Sequence, residues 1–179
     1  MQKKYRMILA SVTVFFLVLL DQITKLAASE HLKGKPAVSL IPGIFELQYL
    51  ENRGAAFGTL QNQRWFFILV VFIVLAALIW CFWHLPDEVH YRPLRVLSVL
   101  IAAGAIGNMI DRIINGYVID FFYFSLIDFP VFNVADIYVT VSMPILFVLI
   151  LTFYKDEDFP QTWKTIIYVL QMGDNSCKN

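Results

Sequence analysis

Long apolar blocks separated by short polar connectors set the pattern of this chain. Residues 65–83 form a run of 19 without a charge, and 96–110 and 137–154 are likewise uncharged. A helix crossing a hydrocarbon core of ~30 Å needs about 20 largely apolar residues, so these blocks predict three membrane spans. The first block is shorter: residues 7–20 give 14 uncharged positions after Lys3, Lys4 and Arg6. A basic start and a short apolar centre also describe a secretory leader, and Ala27, Ala28 and Ser29 resemble a cleavage site. Asp21, Gln22 and Lys25 place that site too far from the apolar centre. A span reaching Ala28 fits better, because helix ends tolerate polar groups that the core does not. The expected spans are therefore about 7–28, 65–83, 94–114 and 134–154, in one membrane-embedded domain covering 1–179.

The connectors carry weaker signals. Lys33-Gly-Lys-Pro36 and Pro42-Gly43 read as turns. Residues 44–52 alternate as a strand does, and 117–124 form a second strand-like run. The two predict a small sheet on one membrane face, where non-helical backbone survives only if protein-buried or hydrated. The connector 84–95, with Pro86 and Pro93, is short. In the tail 155–179, Trp163, Ile166, Ile167 and Leu170 recur at helical spacing, as in a segment lying along the membrane surface. The fold class is mainly α: four transmembrane helices, a small outer-face sheet and an interfacial segment. Pro144 predicts a kink in the last span.

Four spans put both termini on one side. Lys3, Lys4, Arg6, Arg92, Arg95 and Lys155 cluster there, close to short segments, which favours termini inside. Charged residues make up 16% of the chain, against about 25% in soluble domains. Net charge is zero and no basic stripe exists, which argues against a nucleic-acid partner. Cys81 and Cys177 make neither a disulfide framework nor a metal-ligand spacing. His31, His84 and His90 are scattered, which disfavours a zinc peptidase.

Against this apolar background the carboxylates stand out. Asp120 follows the third span and Asp136 opens the fourth, so both lie on one membrane face, the outer one on this topology. Asp136 with Asn133 also fits a capping box, but neither a cap nor a turn requires Asp120 among Val118, Ile119, Phe121 and Phe122. Two carboxylates that meet in apolar surroundings share a proton, the arrangement of acid/base catalysis. Gly104, Asn108 and Arg112, four apart, occupy one face of the third span. Gly104 permits close backbone approach, Asn108 is costly to leave unpaired, and Arg112 is suited to a bidentate carboxylate pair. Asp111 beside them reads as a membrane-boundary marker. Asn115-Gly116 is a helix stop. Asn52 precedes a small-residue run in which Gly54 and Gly58 allow close approach.

Five blocks in order resemble the lipoprotein signal peptidase (signal peptidase II) family, over the chain through about residue 154. They are Asp21-Gln-Ile-Thr-Lys25, Asn52-Arg-Gly-Ala-Ala-Phe-Gly58, Gly104-Ala-Ile-Gly-Asn-Met-Ile-Asp-Arg112, Gly116-Tyr-Val-Ile-Asp-Phe121 and Phe132-Asn-Val-Ala-Asp136. The resemblance implies an aspartic endopeptidase that cleaves prolipoproteins on the amino side of a diacylglyceryl-modified cysteine. It implies Asp120 and Asp136 as the catalytic dyad and Asn52, Gly104, Asn108, Arg112, Asn133 and Ala135 as substrate-binding or supporting. Asp21 and Lys25 are implied to be structural. No metal or organic cofactor is expected. The expected partners are lipid-modified prolipoproteins and membrane lipids, the expected state a monomer. The implied location is the bacterial inner membrane, with the active site at its outer (periplasmic) face. A presenilin-type or prepilin-type peptidase would need a Gly-x-Gly-Asp motif, which this chain lacks. A transporter or proton channel would place its carboxylates near the midplane. A purely structural subunit leaves Asp120 unexplained.

Overall fold

The computed structural model describes residues 3–54 and 60–158. Four helices form: α1 (Lys3–Leu32), α2 (Arg64–His84), α3 (Arg92–Ile114) and α4 (Val134–Thr152). Each supplies an apolar stretch long enough to cross a membrane. In α2, Trp65 and Trp83 stand at the two ends, about 27 Å apart at a rise of ~1.5 Å per residue. The Arg64 guanidinium lies 4.7 Å from the Trp65 ring and the Lys3 ammonium 5.9 Å from Trp83. Aromatic rings with nearby cations at that separation are anchors at the two interfaces. All four expected spans appear, α1 running several residues beyond 7–28 at both ends. The helix α4 runs on through Pro144. Residues 159–179 of the tail predicted to lie along the membrane, with Trp163, Ile166, Ile167, Leu170 and Cys177, and Gly58 fall outside the described residues.

Burial on α1 is inverted relative to a soluble helix. Leu9, Phe15, Phe16, Leu19 and Leu26 are exposed, while Arg6, Asp21 and Lys25 are buried. Apolar side chains lose nothing by facing lipid, whereas polar ones gain by facing each other, so a membrane bundle is held by its polar groups and by close packing. Small residues allow that packing. A Cβ on Gly104 would sit 2.5 Å from the Ala135 carbonyl oxygen, and one on Gly107 would sit 2.5 Å from Asp21 Oδ2. Both glycines thus let α3 approach its neighbours, Gly104 towards α4 and Gly107 towards α1. Apolar clusters close the two ends of the bundle: Leu85, Tyr91, Leu94 and Tyr154 at one, Ala28, Leu32, Ile119 and Phe121 at the other.

The second cluster is where a sheet seats itself on the end of α1. Its strands are β1 (Val38–Ile41), β2 (Phe45–Asn52) and β3 (Val118–Tyr123), antiparallel in the order β1-β2-β3. The sequence pattern predicts only the last two. The turn Pro42-Gly43, with Gly43 at φ 70° and Ile44 N–H bonded to the Ile41 carbonyl at 2.9 Å, folds β1 back onto β2 as a third strand. Four residues with one apolar alternation gave too little periodicity to register alone. In β2 a bulge between Leu47 and Leu50 shifts the register against β3 by one residue. Without it Tyr49 and Glu51 would share the face of Asp120; with it Leu50 and Asn52 do. Gly116, at φ 81°, ends α3 in the left-handed conformation and turns the chain into β3, the stop expected at Asn115-Gly116.

Between α1 and α3 lies a buried ionic cluster. The Lys25 ammonium is 2.9 Å from Asp21 Oδ2 and 3.0 Å from Asp111 Oδ2, with exposures of 1%, 0% and 2% respectively. The spare lone pairs are taken: Ala135 N–H donates to Asp21 at 2.9 Å, Ile119 N–H to Asp111 at 3.1 Å, and the Gln22 amide to both carboxylates. One lysine and two aspartates therefore tie α1, α3, β3 and α4 together. Asp111 is no mere boundary marker: it is the β3 anchor, and its position one helical turn from Gly107 and Asn108 places it inside. Removing one member of such a pair leaves a buried charge uncompensated, at about 3–5 kcal/mol. Lys25→Met is accordingly expected to lower the unfolding temperature in detergent sharply, with Lys25→Arg retaining part of the loss; thermal unfolding of the purified variants measures both.

Candidate active site

Asp120 lies on β3 with 1% of its surface exposed, and Asp136 sits in the first turn of α4. Three main-chain bonds between Phe132 and the β3 residues Phe121 and Phe122, of 2.8–3.0 Å, zip the entry of α4 onto the strand. That zipper brings Asn133 against Asp120. The Asn133 amide donates to Asp120 Oδ1 at 2.6 Å, and its Oδ1 accepts the Asp136 N–H at 2.9 Å. Asp136 Oδ2 accepts the Asn133 N–H at 3.1 Å, closing the expected capping box. One asparagine therefore contacts both aspartates, and the cap and the site are the same structure.

The remaining partners come from three other elements. Asn52, at the end of β2, donates to Asp120 Oδ2 at 2.9 Å, while its side-chain Oδ1 accepts Gly54 N–H at 3.0 Å in a tight turn. Asn108 donates to Asp136 Oδ1 at 2.7 Å. Its own oxygen accepts from Asn133 at 3.1 Å and from Lys25 at 2.9 Å, so the site continues into the ionic cluster. Arg112 departs from expectation: among the described residues it forms no carboxylate pair. It donates to the Gly54 carbonyl at 3.0 Å and the Asn108 carbonyl at 3.2 Å, with its guanidinium 4.5 Å from the Phe67 ring. It acts by holding the residue-54 turn over the site. Its positive charge still faces Asp120 and Asp136.

Both aspartates open onto a groove of about 720 Å³, shared with Asn52, Asn108, Arg112 and Phe67. A cleft of that size accepts a peptide segment. Gly104, Asn133 and Ala135 lie behind its wall. Ala135 is fully buried, and its carbonyl packs against Gly104. Burial pushes the Asp120 carboxyl up to about 7, the negative charge of Asp136 adds to the rise, and the donors Asn52 and Asn133 oppose it. Two groups were not legible as site supports, Gln22 and Phe132. Gln22 gave the faint signal of an amide between Asp21 and Lys25; Phe132 acts through its main chain and gave none.

The fold and the site define a class first: a multi-pass membrane protein with a pair of close carboxylates at one end of its helix bundle. The family model for signal peptidase (SPase) II matches residues 13–153. A lipoprotein signal peptidase of Symbiobacterium thermophilum is 44% identical over 141 residues, 78% of this chain and 91% of that protein. One of Streptococcus pyogenes is 38% identical over 148 residues, covering 82% and 93% respectively. Two solved structures of a bacterial membrane enzyme share the fold with TM-scores of 0.73 and 0.71 at 30% and 31% identity, each covered over 94% of its length. The chain belongs to the signal peptidase II family, as a bacterial multi-pass membrane protease.

Because Asn52 stabilises the ionised form of Asp120, its removal shifts that equilibrium. Asn52→Leu is expected to raise the Asp120 titration point from about 7, read as a higher pH midpoint for loss of the protonated-carboxyl infrared band.

Proposed function

We propose that the protein is an aspartic endopeptidase that removes signal peptides from lipid-modified prolipoproteins, with Asp120 and Asp136 as its dyad. The observation that carries this reading is Asn133, whose side chain bonds Asp120 while its capping box holds Asp136, both carboxylates facing one groove. Asp120, protonated up to about pH 7, is the proton donor to the scissile carbonyl oxygen. Asp136, whose oxygens already accept N–H bonds from Asn133 and Asn108, serves as the carboxylate that takes a proton from water. The hydroxide formed adds to the carbonyl carbon, giving a neutral gem-diol. Its collapse breaks the C–N bond as the amine takes the proton from Asp136 and Asp120 recovers its own. No net proton is consumed, so the dyad is reset for the next cycle.

The substrate reading follows from the location of the site. A cleavage point beside an acylated cysteine is held at the membrane surface, and the aspartates lie at the end of the bundle. With the termini cytoplasmic, as the basic residues at the opposite end favour, this is the outer face. Asn52, Asn108 and Arg112 line the groove and would orient the substrate backbone; Asn133, Gly104 and Ala135 hold the dyad from behind.

Asp120→Asn and Asp136→Asn are each expected to lower kcat/KM for a purified lipidated prolipoprotein by about 10²–10⁴-fold or more, with the fold intact by circular dichroism. Near wild-type cleavage by either variant would sink the dyad. A transporter would instead move solute or protons in liposomes and leave the prolipoprotein uncut. The pH profile is a second test. Asp120 loses its proton as pH rises through about 7, so kcat/KM is expected to decline on the alkaline side of that point. A profile flat from neutral to alkaline pH would exclude Asp120 as the donor.

A further inference from the structure

At the end of the bundle far from Asp120 and Asp136, α1 and α3 leave a groove of about 530 Å³ between them. The mouth of this groove carries Arg6, Arg92 and Arg95 against the single carboxylate of Asp87, an excess of positive charge. Arg6 is 5% exposed and donates to the Leu85 and Pro86 carbonyls at 3.3 Å each, and it pairs with Asp87 at 3.4 Å. Its Nε is buried and has no hydrogen-bond partner among the described residues. Arg95 is held by the Pro86 and Glu88 carbonyls. Arg92 is exposed, and its side chain forms no hydrogen bond or ion pair among the described residues. A fixed arginine with an unsatisfied donor, beside a held one and an exposed unpaired one, is suited to phosphate recognition.

Below the arginines the groove is apolar. Leu9 and Leu17 of α1 and Val96, Val99 and Leu100 of α3 line it, and Leu9 and Val96 are each 58% exposed on the lipid-facing surface. The two helices run in the same direction, so both place their arginines at one end. From Arg6 to Leu17 the helix advances about 16 Å at ~1.5 Å per residue. That is roughly half of a ~30 Å hydrocarbon core, the depth of one leaflet. A soluble anion would use the mouth and leave the apolar length empty; a zwitterionic lipid would leave the excess charge unmatched. Basic pockets between membrane helices take acidic lipid headgroups.

We infer that this groove is a binding site for one anionic glycerophospholipid, its phosphate on Arg6, Arg92 and Arg95 and an acyl chain between α1 and α3. The inference requires only that the helices span the membrane; the proposed orientation would assign the lipid to the cytoplasmic leaflet. Native mass spectrometry of the full chain tests it, in detergent supplemented with phosphatidylglycerol, with phosphatidylcholine, or with phosphatidylglycerol plus inorganic phosphate. One phosphatidylglycerol per chain is expected to survive, phosphatidylcholine is not, and inorganic phosphate is expected to leave the lipid in place. Arg92→Gln, at an exposed side chain that supports no other residue, is expected to weaken retention about fivefold, the effect of one basic residue near a headgroup. Val99→Trp, which fills the apolar length and keeps every arginine, is expected to weaken it as well. Equal retention of the two lipids, displacement by inorganic phosphate, an unchanged Arg92→Gln, or a second copy of the chain in the lipid's place would each overturn the site. Cleavage of lipidated prolipoprotein by Arg92→Gln, measured alongside, is expected to remain at wild-type rate in detergent, so loss of the lipid and loss of the peptidase are read separately.

Discussion

The contact on which the rest of this molecule depends is the Lys25 ammonium held between Asp21 and Asp111, all three nearly inaccessible. In a bilayer the hydrophobic effect inserts helices but gives them no reason to choose one another, so orientation must come from polar contacts and close approach. Lys25 satisfies two carboxylates, and each carboxylate then fixes a main-chain N–H, one at the start of α4 and one in β3. Those are the two elements that carry Asp136 and Asp120. The cluster therefore sets the positions of both aspartates without touching either. Lys25 also donates to Asn108, which donates to Asp136, so the structural and chemical halves of the polar interior are continuous.

Close packing makes that arrangement attainable. Gly104 and Gly107 remove the side chains that would hold α3 away from Ala135 and from Asp21. Without that approach the Lys25 charge would have to be shared across a longer gap at low dielectric, where an unpaired group is costly. The bulge in β2 serves a related purpose at the sheet end of the bundle. It rotates Asn52 onto the face of Asp120, which would otherwise meet Tyr49. A phenol and an amide make different sites there: Asn52 donates one well-placed N–H to the carboxylate and folds the following turn with its oxygen.

The same principle of polar groups defining position runs through the opposite end of the bundle. There Arg6 and Arg95 are tied to main-chain carbonyls of the 85–88 connector, and the tryptophans of α2 mark the two membrane interfaces. The chain thus presents two polar ends with distinct character. One is acidic, enclosed and built around a shared asparagine; the other is basic, open to lipid and built around arginines on parallel helices.

Much of this was legible in the linear chain. Runs of uncharged residues determine the four spans because helix length in a bilayer is fixed by its thickness. The isolation of Asp120 among apolar neighbours, and the four-residue spacing of Gly104, Asn108 and Arg112, mark the site because such groups have no cheap solitary role there. What the sequence could not decide is who meets whom. Asp111 read as a boundary marker and is an anchor; Arg112 read as a carboxylate partner and clamps a turn by its carbonyl; β1 was too short to announce itself. Main-chain donors such as Ala135 and Ile119 carry no signal in residue type. Ala135 meets Asp21 across 114 positions and Ile119 meets Asp111 across 8, so their partners are fixed only when the bundle and the sheet assemble within hydrogen-bond reach. Periodicity records which face of an element is buried, while the pairing of buried polar groups is a property of the assembled bundle.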